Sequence, residues 1–175
     1  MSKRIILLRA VNVGPAQLPM ARLREIAEGL GATDVSTYIA SGNLIAEVPG
    51  KAAEFDRELE KAIDKEFGFF RESISRTPAE VKKALTAHPF SVDEPKYSYV
   101  TFLLEKPTAE AIAKAETYET GNDQWAIIGT EMHIKYASGA GRPEMKADSI
   151  GRALKVAGTA RNLNTVKKLI ELADG

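Results

Sequence analysis

Three groups of polar residues in this chain have the types and spacing for anion chemistry. The first is Thr159-Ala160-Arg161-Asn162-Leu163-Asn164-Thr165. Asn162 is a natural N-cap, because its side-chain oxygen can accept a backbone N–H that the first helical turn leaves unpaired. Arg161 would stand just ahead of that helix, with Asn164 and Thr165 in its first turn. Free N–H groups, the positive helix end and a guanidinium would then meet in one place. A well-capped helix whose arginine pairs with a distant carboxylate explains the same residues. The second group is Arg9-Ala10-Val11-Asn12-Val13-Gly14, between an apolar run and a helix. Arg9 could clamp an anion and Asn12 orient it, or the turn needs Asn and Gly for its backbone and Arg9 pairs an acidic side chain. The third, Ser41-Gly42-Asn43, offers a hydroxyl and an amide at a tight turn, which also demands such residues sterically.

A fourth stretch, Gly139-Ala140-Gly141-Arg142-Pro143, fails the tests for a phosphate loop. A dinucleotide fingerprint needs glycine where Glu144 stands, and a P-loop needs Gly-Lys followed by Ser or Thr. It reads as a loop carrying Arg142 and Lys146. His88 and His133 are 45 residues apart and fit no metal-ligand pattern. His133 alternates with Ile134 on a strand and reads as a surface or packing residue, and Trp125 reads as core. There is no cysteine, which removes disulfides and thiolate chemistry. No Gly-x-Ser-x-Gly elbow is present. The carboxylates between Glu54 and Lys61 read as a charged helix face rather than a catalytic pair.

The elements that must position these residues follow from periodicity. Ile5 to Leu8 form a buried strand; residues 20–31 form a helix with Met20, Leu23, Ile26, Ala27 and Leu30 on one face. Residues 35–40 and 44–48 form a hairpin, 51–67 a second helix and 69–75 a strand. Thr77-Pro78 opens another helix. The second half reads as a strand at 97–104, a helix around Ala111, a hairpin at 124–136, a helix capped by Asp148, and the helix after Arg161. The order β-α-β-β-α-β, then β-α-β-β-α-α, predicts an α+β protein of two ferredoxin-like α/β sandwich lobes, with antiparallel or mixed sheets and helices on one face. The expected lobes are residues 1–87 and 97–175, joined by a proline-bearing connection at 88–96.

Composition bounds the partners. The chain has 24 basic and 24 acidic residues and no net charge, so nucleic acid is not the expected partner. The charge is uneven: residues 1–46 carry +2, residues 47–130 carry −5 and residues 131–175 carry +3, which allows a local basic patch. Four apolar residues near the N-terminus are too few for a signal peptide, and no run approaches a membrane span. A cytoplasmic protein with no membrane contact is expected.

Three stretches together resemble the bacterial DUF1697 family, a domain of unknown function: Leu7-Leu8-Arg9-Ala10-Val11-Asn12-Val13-Gly14, Thr37-Tyr38-Ile39-Ala40-Ser41-Gly42-Asn43-Leu44, and residues 159–169. The resemblance implies paired ferredoxin-like lobes and no established activity. Its pattern falls on Arg9, Asn12, Gly14, Ser41, Gly42, Asn43, Arg161, Asn162 and Thr165. Ala10 replaces a usual glycine, Pro15 stands near a second, Leu163 replaces a usual tryptophan, and Pro143 replaces a serine after Gly-x-Gly-Arg.

The expectation from sequence is a protein that binds a small anionic, phosphate-bearing ligand, such as a nucleotide, in a polar cleft. Arg9, Asn12, Gly14, Ser41, Gly42, Asn43, Arg142, Arg161, Asn162 and Thr165 are its candidate residues. An enzyme acting on a phosphorylated or carboxylated substrate, and a sheet-face RNA binder using Tyr38, Tyr97, Tyr99 and Tyr136, are the alternatives. The sequence assigns no catalytic residue, metal, cofactor or oligomeric state.

Overall fold

The computed structural model describes residues 1–175. It divides into two compact units: Met1–Lys82 with Lys168–Gly175, and Lys83–Lys167. The protein is α+β, with two four-stranded antiparallel sheets and six α-helices. No helix is long and apolar enough to cross a membrane.

In the first unit, β1 (Ser2–Leu8), β2 (Thr33–Tyr38), β3 (Asn43–Val48) and β4 (Ser73–Arg76) form a sheet in the order β2-β3-β1-β4. With α1 (Met20–Gly29) and α2 (Ala52–Phe67) between them, this is the ferredoxin-like connection. Period two turns Ile6 and Leu8 to one face, where Leu44, Ala46 and Val48 join them beneath Leu23, Ile26, Leu59 and Ile63 of the helices. Burying each of the large side chains contributes about 1.5–3 kcal/mol.

The buried face of α2 is not wholly apolar. Asp56 and Glu60, read from sequence as part of a charged face, are buried. Asp56 accepts hydrogen bonds from Ser75 Oγ at 2.7 Å and Ser73 Oγ at 3.1 Å. Glu60 accepts from the Ser73 N–H at 2.9 Å and pairs with Arg57 at 2.7 Å. These carboxylates fasten α2 to β4, and burial pushes the Asp56 carboxyl up. Next in the chain, α3 (Pro78–Thr86) begins with a reciprocal cap. Thr77 Oγ1 accepts from the Glu80 N–H, and Glu80 accepts from the Thr77 N–H.

The second unit repeats the pattern. Its sheet runs β6-β7-β5-β8, from β5 (Ser98–Leu103), β6 (Gln124–Ile128), β7 (Glu131–Lys135) and β8 (Gly158–Asn162). Two short helices, α4 (Ala109–Ala115) and α5 (Ala147–Leu154), cover Leu103, Met132 and Ile134 with Ala115, Ile150 and Leu154. The last helix, α6, is Leu163–Asp174.

Four local expectations change. β8 replaces the loop expected ahead of the last helix: Gly-Thr-Ala-Arg-Asn has little strand propensity, and pairing with β5 in the register Val100↔Arg161 decides it. β4 begins at Ser73 rather than at 69, because its partner β1 ends with the pair Leu8↔Ser73. The 35–40 strand lies at Thr33–Tyr38, with an irregularity between Thr33 and Ser36. Asp148 does not cap α5; that helix starts one residue earlier, and its N-cap, Lys146, gives no side-chain hydrogen bond.

Candidate functional site

The sheet registers gather the first two motifs at one end of the first unit. Leu7 pairs with Asn43, Tyr38 with Asn43, and Leu8 with Ser73. Residues 9–19, the 39–42 turn and residues 68–72 therefore leave the sheet at the same edge. Asn12 ties two of these segments together. Its Nδ2 donates to Leu18 O at 2.9 Å and to Ala40 O at 2.6 Å, and its Oδ1 accepts from the Leu18 N–H at 2.8 Å. Both amide donors and the carbonyl oxygen of Asn12 are thus engaged inside the protein. Asn43 is fully buried and donates to Tyr38 O at 2.9 Å and Ser41 Oγ at 3.0 Å.

Backbone geometry explains the glycines. Gly42 has φ +86°, and a Cβ there would stand 2.6 Å from Val11 Cγ2, so the turn packs directly on the Arg9–Gly14 segment. Gly14, at φ +56°, faces open space. Ala10, Asn12 and Ile39 also take the left-handed region, at φ 53°, 56° and 52°. Asn tolerates that conformation; a β-branched isoleucine does not. Arg9 is half exposed and meets Glu72 at 3.4 Å.

The third motif belongs to the second unit and works differently from its sequence reading. Arg161 lies within β8 and is buried. Its guanidinium donates to Thr159 Oγ1 and to Ala160 O at 3.0 Å. Burial lowers its pKa to about 10. Asn162 does cap α6: its Oδ1 accepts from the Thr165 N–H at 2.9 Å.

Arg142 stands in the loop before α5, and a buried carboxylate sets that loop's shape. Asp123 accepts from the N–H groups of Ala137 at 2.8 Å, Glu144 at 2.6 Å and Met145 at 3.0 Å. Beyond the loop lie two adjoining cavities. One, of about 470 Å³, is walled by Tyr136, Ala140, Pro143, Lys146, Ser149 and Arg152 among others. The second, of about 510 Å³, lies between α4 and α5 and is lined by Thr108, Lys114, Tyr118, Ser149, Arg152 and Lys155 among others. Ser149 and Arg152 border both. Lys114, Lys146, Arg152 and Lys155 thus surround α5, accompanied by two lining carboxylates, Glu110 and Asp148. None of the four cations forms a salt bridge; Arg152 reaches only Ser149 Oγ, at 3.4 Å. Burial pushes the Tyr136 phenol up, so it remains a neutral donor at the rim.

Of the four cations only Lys146 stood out in the sequence, as a companion of Arg142. Lys114, Arg152 and Lys155 come from two segments some forty residues apart, and only the packing of α4 on α5 joins them. The histidine pair was also invisible. His133 is fully buried, and its Nδ1 lies 3.0 Å from Nδ1 of His88. Such a contact requires one ring to donate from Nδ1 and the other to accept. Both Nε2 atoms are buried without a partner. Burial, with His88 beside it, lowers the His133 pKa to about 4. No group of three or more histidine, aspartate or glutamate side chains could hold a metal ion.

The motif set prompts comparison with known proteins. A family model described as a protein of unknown function (DUF1697) matches residues 1–133. The chain belongs to the DUF1697 family. The matched span covers the Arg9 and Ser41 motifs, and the Arg161 motif lies beyond it. Among solved structures, the DUF1697 chain is similar to the conserved bacterial protein SP0830 from Streptococcus pneumoniae, at 21% identity, with a TM-score of 0.80 over 100% of this chain and 99% of that one. That likeness supports the fold. No curated protein matches the chain.

Proposed function

We propose that this protein binds a small anionic, phosphate-bearing ligand, held in the second unit by the groove around α5. The observation that carries the reading is the set of four cations, Lys114, Lys146, Arg152 and Lys155, on two adjoining cavities without salt-bridge partners. Glu110 and Asp148 leave the groove with two positive charges in excess. Grouped cations repel one another, and an anion that contacts several of them relieves that repulsion while gaining charge-assisted hydrogen bonds. Ser149 and Tyr136 add neutral donors that shape the site for oxygen.

The expected residues keep different duties. Asn12 and Asn43 have their amides engaged in holding turns, and Arg161 is hydrogen-bonded within its strand. Arg142 remains an arm of the loop that walls the first cavity. With no net charge on the chain, the positive field is local, which suits a small ligand better than a nucleic acid. A cysteine-free protein of this kind fits the cytoplasm, where phosphate esters are abundant.

Isothermal titration with inorganic pyrophosphate at low ionic strength tests it. Wild type and Arg9→Ala should bind alike, and Arg152→Ala should weaken binding at least tenfold. Equal binding by all three proteins would place the anion elsewhere.

A further inference from the structure

The α4–α5 cavity does not end at its cations. Tyr118 lines it and also lines a third cavity of about 540 Å³, which lies along the edge strand β6. Lys114 Nζ sits over the Tyr118 ring, 5.8 Å from its centroid, so one side chain of the basic groove rests on the first ring of the next cavity. That cavity is walled by Phe90, Tyr118, Trp125 and Ile127, with Glu116, Thr120, Asp123 and Gln124 as polar neighbours. Its size is that of a small-molecule site, and its lining mixes aromatic with polar side chains. A basic groove running into an aromatic shelf matches a ligand with two chemically distinct ends.

We infer that the ligand is a nucleotide-class phosphate ester, with its heterocycle against Trp125 and Tyr118 and its phosphates among Lys114, Arg152 and Lys155. The inference rests on the anion site proposed above and adds the ring. A flat heterocycle stacks on aromatic side chains whatever its base identity. The side chains of Thr120, Gln124 and Glu116 can hydrogen-bond its edge, and the cavity's two carboxylates, Glu116 and the backbone-bonded Asp123, stand at the ring end rather than among the phosphates. A sugar phosphate or inorganic polyphosphate would use the cations and leave the shelf empty.

Trp125 is the only tryptophan, so its emission reports on the shelf alone. The full chain is titrated at low ionic strength with ADP, ribose 5-phosphate and inorganic pyrophosphate, by fluorescence and by calorimetry. ADP should quench the emission and bind at least tenfold more tightly than the other two. Trp125→Leu, with its fold checked by circular dichroism and its binding read by calorimetry, should remove most of that advantage and leave pyrophosphate binding unchanged; Tyr118→Ala, which alters a wall shared by both cavities, should weaken ADP binding more than pyrophosphate binding. Equal affinities with unchanged emission in the wild type would overturn the aromatic assignment and leave the anion site standing. Failure of all three compounds to bind would overturn the anion site and this inference together.

Discussion

At the open end of the first sheet, Asn12 fills its amide with bonds to Leu18 and Ala40, Asn43 is buried, and Arg9 meets Glu72. Around α5 in the second unit, Lys114, Lys146, Arg152 and Lys155 line two cavities and meet no carboxylate within salt-bridge distance. Both regions are polar, and both sit on loops and helix ends of the same strand order. They differ in whether the polar groups are already satisfied. A group bonded within the protein holds the fold; a solvent-exposed cation lining a groove stays available to a ligand. The motifs that looked most chemical in the sequence belong to the first class, and the groove carries only the loop of residues 139–143, which fails the phosphate-loop tests.

The largest expected effects fall on the first region. Asn12→Ala removes three hydrogen bonds, leaves the Leu18 N–H without its acceptor and puts alanine at a left-handed φ. We expect a loss of about 3 kcal/mol in urea unfolding, with pyrophosphate affinity unchanged. Gly42→Ala, driven into Val11 and Leu8 at φ +86°, should cost a similar amount, on the order of 2–4 kcal/mol. A binding defect in either variant without loss of stability would break the contrast.

The buried histidines give the next effect. His133 has a pKa near 4 in the fold and about 6.5 when unfolded, so the unfolded chain binds more protons between these values. Stability is therefore fully present above pH 6.5 and falls as the pH drops toward 4, by roughly 3 kcal/mol at the limit. Denaturant melts across pH 4 to 8 should show that slope, and His88→Leu/His133→Leu should flatten it. A slope that survives in the double variant would assign the effect to other groups. The smallest effect is a gain. Ile39 is half exposed at φ 52°, so Ile39→Gly should release strain and lose little burial. We expect stabilisation of about 0.5–1 kcal/mol, read as a rise in the urea midpoint.

What the sequence disclosed was local. The Thr77 cap, the Asn162 cap and the helical face of Phe55, Leu59 and Ile63 are each written in a few neighbouring residues, and each recurs in the fold. The β-α-β-β-α-β order was readable because apolar period two and period 3.6 alternate cleanly through the first half. β8 was not, because Gly-Thr-Ala-Arg-Asn becomes a strand only beside β5. The burial of Asp56 and Glu60 was not legible because their partners, Ser73 and Ser75, come later in the chain. His88 and His133 meet across 45 residues, and Lys114 meets Arg152 only where α4 packs on α5. Contacts of that kind depend on tertiary structure, and spacing does not reveal them.

The most direct measurement is a backbone amide NMR titration of the whole protein with inorganic pyrophosphate. Saturable shifts gathered on residues 108–118 and 146–155, with 9–14 and 39–43 silent, are the result expected here. Shifts gathered on Arg9 to Gly14 and Ile39 to Asn43, with α5 silent, would contradict it.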